Sequence, residues 1–463
     1  MQLKEISIRN FRCFSKYKVK LAPHVTVLYG KNGAGKTTLI HAIHKALSFI
    51  MYSEIIRKKN PETKKRELIG VNTIAGHNPY LRVEGYRKDG DFNNENDTMI
   101  EIGAIASMSG NNEDLSWKMS AYTHNHRLRP SAFIRAFRMF YGWHKMTDEL
   151  PVLAYYSDCF PHKEDRRRKS KKKKIAGLRN FGYHDWNAVE GCMDEWVGRL
   201  ETSIKEYNRI ERRFTLYQNT KELILNEEII KAEKEALVSL NNEIRAIESV
   251  LIKFSANLLP ISNSYDIAYI DLGMDDRLCL YMKSGEKVSF EQLPAGYRRL
   301  YNIVLDLAYR SYILNKSVDA RGIAIIDEID LHLHPELQQV VLNQFVATFP
   351  HVQFIVSTHS FLVLRNLPTS NEENAILYLQ SGQEEPVKSY DIYGLDVDSG
   401  LQEVMGVRPS NEDLKTWISR CAYMRKMGLD EQCENLKRMI LDKDLISAAN
   451  LEQRIVDHLN TLN

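Results

Sequence analysis

The segment GKNGAGKT, residues 30–37, has the residue types and the spacing of a phosphate-binding loop. Its glycines let backbone N–H groups approach phosphate oxygens, and the loop follows an apolar β-branched run and precedes a segment with helical spacing. In such a loop Lys36 reaches the β- and γ-phosphates of a nucleotide, and the hydroxyl of Thr37 ligates Mg²⁺. We therefore expect ATP and Mg²⁺ as ligands. The residues expected around the phosphates are Gly30, Lys31, Asn32, Gly33, Ala34, Gly35, Lys36, Thr37 and Thr38.

A second group of polar residues follows two apolar runs in the last third of the chain. IAIIDEI, residues 323–329, ends in two carboxylates, as expected where a buried strand delivers an acid to Mg²⁺. On this interpretation Asp327 binds the metal through water and Glu328 polarises the attacking water. STHS ends the next strand and places His359 where it would sense the γ-phosphate, so that Lys36, Glu328 and His359 form the predicted catalytic set. The alternative is a strand that ends in surface acids, together with an ordinary strand-end histidine.

The elements that must position these residues are predicted from the spacing of apolar positions. Within the first 50 residues, LKEISIRNF alternates, VTVLYG is a short apolar run and KTTLIHAIHKALSFI has helical spacing, so a βα unit opens an α/β domain. Residues 71–149 contain short strand candidates, YLRVEGY and TMIEIGAIA among them, which predict an antiparallel sheet with exposed loops. LPVLAYY, YDIAYIDL and RLCLYM predict further strands. We expect a helix over residues 299–314 and more helices after residue 400.

The middle of the chain, residues 186–254, predicts two packed helices that form a short coiled coil. Apolar residues spaced three and four apart give one arm a heptad seam. That seam consists of Leu237, Leu240, Ile244, Ile247, Leu251 and Phe254. The opposing arm offers Leu200, Ile204, Tyr207, Phe214 and Tyr217. Each arm would hold roughly 25 residues, or about 40 Å at 1.5 Å per residue, which makes a short projection.

The composition limits the class of protein. With 463 residues and 43% apolar content, the chain has enough material for a large core. No run approaches the roughly 18 to 20 apolar residues needed to cross a bilayer, and MQLKEISIRNF lacks the apolar core of a secretion signal. We therefore expect a cytoplasmic protein with no membrane partner. Its six cysteines form no CxxC pair, which argues against a disulfide framework and a zinc ribbon.

One charged run stands out from an otherwise balanced sequence. The net charge of +3 is too small to indicate a nucleic-acid binder, so such a role depends on local clusters. In DRRRKSKKKK, eight of the nine residues 166–174 are basic. Three interpretations stay open: a solvated loop, a contact to DNA or RNA phosphates, and a contact to an acidic protein partner. The absence of aromatic residues in this run disfavours stacking on single-stranded bases.

The order of these motifs resembles that of the ABC-class ATPases of the RecF, SMC and OLD type. IRNFRCF with GKNGAGKTTLI, then LPAGYRRL, IIDEIDLHLHP and STHS, correspond to a P-loop, a signature, a Walker B segment with its D-loop and a switch histidine. The resemblance implies an α/β ABC-type P-loop ATPase head with a mixed sheet, flanking helices and an antiparallel subdomain, plus a short helical insertion and a helical C-terminal tail. It also implies that two heads pair around two ATP molecules. Arg12 would then lie near the nucleotide, and Asp330 would belong to the D-loop.

On this interpretation the chain has four segments. Residues 1–160 form a first ATPase lobe with the P-loop, and residues 161–262 form the basic loop and the helical insertion. Residues 263–398 form a second lobe with the signature, the Walker B segment, the D-loop and the switch histidine. Residues 399–463 form the helical tail.

The signature LPAGYRRL departs from the family pattern. In transporters this loop is LSGGQ, whose serine hydroxyl and glycine amides bind the γ-phosphate across the dimer. Leu293 and Gly296 keep their places here, but Pro294 offers neither a hydroxyl nor an N–H. The residues expected to contact the ATP of a second head, more weakly than in transporters, are Leu293, Pro294, Ala295 and Gly296. Arg298 or Arg299 is expected to compensate, and the alternative is a turn in which the proline only starts a helix.

OLD-type nucleases carry a Toprim domain after the ATPase, and from the short, mostly helical segment after His359 we expect that no such nuclease domain is fused here. The short insertion and helical tail instead resemble the ATPase subunit of two-gene anti-phage systems, AriA of PARIS or PtuA of Septu. The resemblance implies a multimer that holds or releases a separate nuclease, of Toprim or HNH type, in an ATP-dependent way. DNA or a phage-encoded trigger would then contact residues 166–174. A RecF-type DNA repair ATPase and a non-catalytic ATP-dependent scaffold stay open as alternatives.

Overall fold

The structure is a computed structural model of the chain. The residues that it describes are 1–59, 66–74, 99–110, 113–122, 129–157, 179–186, 193–219, 227–257, 266–370, 372–389, 392–406, 412–442 and 446–461. The strand predicted at YLRVEGY and the basic run 166–174 lie outside these residues, so both stay predictions.

The chain divides into two compact units, Met1–Leu395 and Asp396–Asn463. The strands of the first unit are β1 (Gln2–Phe11), β2 (Phe14–Lys20), β3 (Val25–Tyr29), β4 (Ser53–Lys59), β5 (Arg66–Thr73), β6 (Met99–Ser107), β7 (Leu115–Tyr122), β8 (Val152–Tyr156), β9 (Ile267–Leu272), β10 (Leu278–Met282), β11 (Lys287–Ser289), β12 (Gly322–Ile326), β13 (Val352–Ser357), β14 (Asn374–Tyr378) and β15 (Val387–Ser389). Its helices are α1 (Lys36–Leu47), α2 (Ile134–Thr147), α3 (Met193–Asn219), α4 (Glu227–Asn257), α5 (Ala295–Asn315), α6 (Pro335–Thr348) and α7 (Phe361–Leu364). The predicted division into four segments is finer than these two units and stays a prediction.

A mixed six-stranded sheet forms the centre of the first unit, in the order β15-β14-β3-β13-β12-β8. The strands from β14 to β8 are parallel, and β15 is antiparallel to β14. Every residue of β3, β8, β12 and β13 is buried, as expected for parallel strands covered on both faces. The predicted α/β class with a mixed sheet is therefore confirmed. Since β13 lies between β3 and β12, the loops after these three strands meet at one edge of the sheet.

A second sheet, in the order β2-β1-β6-β7, is antiparallel throughout. Buried positions recur along its strands with a period close to two, so one face is covered and the other is only partly exposed. Trp117 of β7 donates from Nε1 to the Ala46 carbonyl of α1 at 2.8 Å, and its ring centre lies 4.4 Å from that of Phe49. This sheet, of which TMIEIGAIA predicted one strand, thus supports the helix that follows the phosphate-binding loop. The β4–β5 hairpin was not predicted.

Helices α3 and α4 pack against each other and run antiparallel. Arg199 pairs with Glu243 at 2.8 Å, and further along the two helices Arg213 pairs with Glu233. The predicted seam residues that are buried are Leu200, Ile204, Ile247, Leu251 and Phe254. The two helices contain 27 and 31 residues, somewhat more than the roughly 25 predicted for each arm.

Helix α5 is buried along nearly its whole length and contacts both the insertion and β8. The Asp306 carboxylate, which is 1% exposed, joins these parts. It accepts hydrogen bonds from Nε1 of Trp196 on α3 at 2.5 Å and from the Tyr156 hydroxyl on β8 at 2.8 Å. Arg310 completes the group with an ion pair at 2.7 Å. A single buried charge therefore fixes α5 to the insertion and to the sheet.

The second unit is helical, with α8 (Val397–Glu403), α9 (Glu412–Lys426), α10 (Asp430–Leu441) and α11 (Ala448–Thr461). Its core consists of Leu414, Ile418, Cys421, Ala422, Cys433, Ile440, Leu451 and Ile455. Burial raises the pKa of the Cys421 thiol to about 12, so this thiol is an unreactive packing group. The predicted helical tail is confirmed. None of the described helices combines the length and the apolar character needed to cross a membrane.

Candidate nucleotide-binding site

The loop between β3 and α1 has a backbone shape that only glycine permits at two positions. Gly30 has a φ of 151° and Gly35 a φ of 97°. A Cβ on Gly30 would lie 2.4 Å from the Leu379 carbonyl oxygen, and one on Gly35 would lie 2.5 Å from Cζ of Phe14. Helix α1 begins at Lys36, so its first N–H groups lie at this loop, where a phosphate would accept them.

Lys36 is 6% exposed, and its Nζ donates to the Gly30 carbonyl oxygen at 2.9 Å. Burial lowers the pKa of this amine, and the carboxylates of Asp327, Glu328 and Asp330 oppose that shift. The loop that contains Lys36 follows β3 and these acids follow β12, and both strands pair in parallel with β13. The structure therefore places the predicted phosphate-binding lysine and the predicted acids at one edge of the sheet.

The acidic pair of Asp327 and Glu328 follows β12 at the carboxyl edge of the sheet. Asp327 is 1% exposed, and Oγ of Ser357, the last residue of β13, donates to its carboxylate. The Oγ of Ser357 also accepts the backbone N–H of Glu328 at 2.8 Å. Glu328 has a φ of 51°, a left-handed conformation that costs a non-glycine residue about 1 to 2 kcal/mol. One serine hydroxyl thus holds both members of the pair.

The predicted D-loop and switch segments contact each other within the chain. Oδ1 of Asp330 accepts the Oγ1 hydrogen of Thr358 at 2.5 Å and the backbone N–H of His359 at 3.3 Å. Oγ of Ser360 donates to Gln338 on α6 at 2.6 Å, which fixes the other side of the histidine. The His359 side chain itself is exposed. Asp330 therefore positions the switch segment, and its contact with a nucleotide stays a prediction.

The predicted signature begins helix α5, with Pro294 at the N-cap. A Cβ on Gly296 would lie 2.7 Å from the carbonyl oxygen of His332, so the start of α5 touches the D-loop of the same chain. Arg299 is 1% exposed, and its Nη2 donates to the Asp327 carbonyl oxygen at 3.0 Å. The expectation that Arg299 compensates for Pro294 across a dimer is therefore wrong, because this guanidinium is buried within its own chain.

Two further arginines that the sequence places near a nucleotide are half-buried. Arg12, with a φ of 50°, lies in the turn between β1 and β2. Phe14, two residues on, packs against the phosphate-binding loop at Gly35, so this turn adjoins that loop. Arg298 donates from Nη1 to the Glu291 carbonyl oxygen at 3.1 Å. Nucleotide contacts of both arginines stay predictions.

The oxygen groups at this site suit Mg²⁺. Within the described part of the chain, no group of three or more His, Cys, Asp or Glu side chains would hold a metal ion unaided. Mg²⁺ is usually held by one or two protein oxygens together with substrate phosphates and water. The exposed Thr37 hydroxyl at the start of α1 and the Asp327 carboxylate supply such oxygens. The residues present therefore fit the metal that the loop predicts.

Two residues of the site, Ser357 and Arg299, have contacts that the sequence motifs did not indicate. Ser357 is the first residue of STHS, and its place at the end of an apolar strand was the available signal. Arg299 is followed by LYNIVLDLAY, so its signal was a charged residue at the start of an apolar helix. Neither signal identifies Asp327 as the partner, since Asp327 lies 30 residues from Ser357 and 28 residues from Arg299 in the sequence.

The chain is similar to several known ATPases and ATPase heads. Residues 1–363 match the family model described as AAA ATPase domain. The Retron Vc95 probable ATPase of Vibrio cholerae is 26% identical over 405 residues, which cover 79% of this chain and 71% of that protein. The Septu protein PtuA of Bacillus thuringiensis is 24% identical over 207 residues, 42% of this chain and 50% of that protein. Among solved structures, an SMC head bound to the C-terminal winged-helix domain of ScpA aligns at 12% identity with a TM-score of 0.43, over 87% of this chain and 100% of that one.

Proposed function

Because the chain belongs to the AAA ATPase domain family, we propose that it binds and hydrolyses ATP beside the acidic pair, as the regulatory ATPase of a bacterial anti-phage defence complex. The observation that carries the enzymatic part is that the Lys36 loop after β3 and the acids Asp327 and Glu328 after β12 lie at the same edge of the sheet, on either side of β13. A lysine for phosphate oxygens and acids for Mg²⁺ and water then lie at one edge of the sheet.

The proposed reaction is in-line attack of water on the γ-phosphorus. It breaks the bond to the bridging oxygen and yields ADP and phosphate. The Lys36 amine stabilises negative charge on the phosphate oxygens, and Glu328 orients and polarises the water. Asp327 and Thr37 would hold Mg²⁺, which would offset phosphate charge. His359, exposed at the same edge, contacts the γ-phosphate.

The defence role rests on the relatives. A protein named as a retron ATPase aligns with 79% of this chain, and one named as Septu protein PtuA aligns with 42%. These names, together with the resemblance to ATPase subunits of two-gene systems, support a subunit whose nucleotide state controls a separate nuclease of Toprim or HNH type. Control would act through ATP-dependent assembly of the ATPase heads.

The enzymatic part is tested with Glu328→Gln and Lys36→Ala variants of the full chain. Phosphate release should fall at least about 100-fold in both, since each variant removes a group that acts on the reacting phosphate or water. Glu328→Gln should retain ATP and form more stable oligomers in light scattering, whereas Lys36→Ala should bind no ATP. If Glu328→Gln hydrolysed ATP at the parental rate, Glu328 would not be the residue that orients the attacking water. If phage defence survived Glu328→Gln but not Lys36→Ala, ATP would serve assembly only.

The regulatory part is tested by co-expression with the product of the adjacent reading frame. We expect a Toprim or HNH protein to copurify, and its nuclease activity to differ between complexes that contain the parent chain and Glu328→Gln. The absence of such a partner, combined with ATP hydrolysis that DNA stimulates, would instead support a RecF-type repair ATPase.

A further inference from the structure

The peptide group between Asp327 and Glu328 is held at both of its polar atoms. Its carbonyl oxygen accepts Nη2 of Arg299 from α5 at 3.0 Å, and its N–H donates to Oγ of Ser357 on β13 at 2.8 Å. Arg299 is 1% exposed and Ser357 is fully buried, so water competes little for either bond. Two elements outside β12 therefore fix the plane of this one peptide.

The plane of this peptide sets the backbone direction at the proposed catalytic acid. Rotation of a peptide group changes the φ of the residue that follows it, here Glu328, together with the ψ of Asp327. The φ of 51° at Glu328 is unfavourable for a residue with a Cβ, so it persists only while surrounding contacts impose it. Loss of the Arg299 bond would let the peptide turn and carry the Glu328 carboxylate away from the attacking water.

The same end of α5 is also in contact with the D-loop and with solvent. A Cβ on Gly296 would lie 2.7 Å from the His332 carbonyl oxygen, so the two backbones touch there. Pro294 and Ala295, at the start of the helix, are exposed. A molecule that binds at these residues and displaces the helix start would therefore move Arg299 as well.

We propose that Arg299 is a positioning residue that couples the start of α5 to the reactivity of Glu328. While the guanidinium holds the Asp327 carbonyl, Glu328 keeps its hydrolytic conformation. When the helix start moves, the peptide turns and hydrolysis slows although ATP stays bound. The inference rests on the proposed function, since it takes Glu328 as the group that orients water.

The first test compares Arg299→Met with Arg310→Met in the full chain. Arg310 is a second buried arginine of α5, 2% exposed, and it pairs with Asp306. Arg299→Met should lower kcat about 10- to 100-fold, with the KM for ATP within about threefold of the parent. Arg310→Met removes a buried arginine from the same helix and should keep the parental kcat per folded molecule. Equal losses of kcat in both variants, or a parental kcat in folded Arg299→Met, overturn the proposal.

Ser357→Ala supplies a second measurement. Because Arg299 and Ser357 hold the same peptide, the kcat reduction in the double variant Arg299→Met/Ser357→Ala should be clearly smaller than the product of the two single reductions, although Ser357→Ala also removes the donor to the Asp327 carboxylate. If the two reductions multiplied, the side chains would act separately, and the joint hold on the peptide would be refuted.

Hydrogen exchange gives a readout that needs no hydrolysis. Deuterium uptake by proteolytic fragments that contain Glu328 should be at least about threefold faster in Arg299→Met than in the parent, and unchanged in Arg310→Met. If Arg299→Met did not fold, Arg299→Lys, which keeps a donor of shorter reach, should change uptake and kcat less but in the same direction. A parent chain without ATPase activity would refute the proposed function and leave this uptake comparison to decide the role of Arg299. Unchanged uptake would refute that role and leave the proposed function standing.

Discussion

The Ser357 hydroxyl donates to the Asp327 carboxylate across two neighbouring strands, from the end of β13 to the end of β12. Ser357 is fully buried, and Asp327 is 1% exposed. A serine has one hydroxyl hydrogen, so this bond uses the only hydrogen it can donate and fixes the orientation of the carboxylate. The acid proposed to bind Mg²⁺ is therefore positioned by the strand beside it as well as by its own.

Ser357→Ala should lower kcat about 10-fold and the free energy of unfolding by about 1 to 3 kcal/mol, because it removes the donor to a buried carboxylate. Steady-state ATPase assays and urea unfolding measure the two effects. The matched control is Thr26→Ala, which removes a buried hydroxyl that accepts the Ala22 N–H at 2.8 Å near the start of β3. That variant should lose stability and keep its kcat within about twofold. A parental kcat in Ser357→Ala would contradict the role given to the hydroxyl.

Gly296→Ala should reduce both stability and turnover. The added Cβ would lie 2.7 Å from the His332 carbonyl oxygen, so the start of α5 or the D-loop must shift. We expect a loss of about 1 to 3 kcal/mol in the free energy of unfolding, and a lower kcat. Gly142→Ala, at an exposed position of α2 with nothing within 4 Å of the new Cβ, should instead gain up to about 1 kcal/mol. Equal responses of the two variants would show that the D-loop contact has no effect.

Pro294→Ser tests whether the signature is specialised for slow cycling. Pro294 is exposed at the N-cap of α5, where serine is favourable, so the helix should survive the change. The new hydroxyl is expected to strengthen ATP-dependent assembly and to raise turnover, both measured against the parent. Pro130→Ser, at another helix-start proline, should change neither. If Pro294→Ser also leaves turnover and assembly unchanged, this proline only starts a helix.

The second unit should lose one stabilising contact in acid. Glu452 of α11 pairs with Arg425 at 2.6 Å and with Lys437 at 2.7 Å, and these cations lower its pKa from 4.5 to about 2. Because the pKa is lower in the folded state, the pairing stabilises the unit fully above about pH 4.5 and is lost as the pH falls towards 2.

The pairing is tested by hydrogen exchange with the parent as reference at each pH. Glu452→Gln should speed exchange in residues 412–461 at pH 7, and the difference should shrink between pH 5 and pH 2. Glu431→Gln, which alters an exposed acid of α10, should match the parent throughout. A difference for Glu452→Gln that did not change with pH would show that the charge is not its cause.

The parts of the site that were predicted from sequence are local. The glycines of residues 30–37, with the apolar strand before them and the helical spacing after them, specify the phosphate-binding loop within one short segment. The same holds for the acids after β12, because an unbroken apolar run indicates a buried strand and its end indicates the functional edge. The α/β class followed from these same segments.

The parts that were missed depend on contacts between distant segments. Arg299 lies within the signature, and the motif suggested an outward role, but its carbonyl partner lies on another element. The apolar content of α5 indicates that the helix is buried and does not indicate which backbone atom Arg299 contacts. The β4–β5 hairpin was missed for a different reason, since SEIIRKK and RELIGVNT show neither regular alternation nor an unbroken apolar run.

The buried Asp306 carboxylate limits how freely the helical arm could be exchanged between related chains. Trp196 of the arm supplies one of its hydrogen bonds, and Tyr156 of the central sheet supplies another. Excision of α3 and α4 at their base would remove the Trp196 donor while the ion pair with Arg310 stays, at a cost of about 1 to 3 kcal/mol. A grafted arm of different length or sequence would need to bring an indole or an equivalent donor to the same point. The arm and the ATPase core therefore have to change together, although the arm looks like an independent appendage.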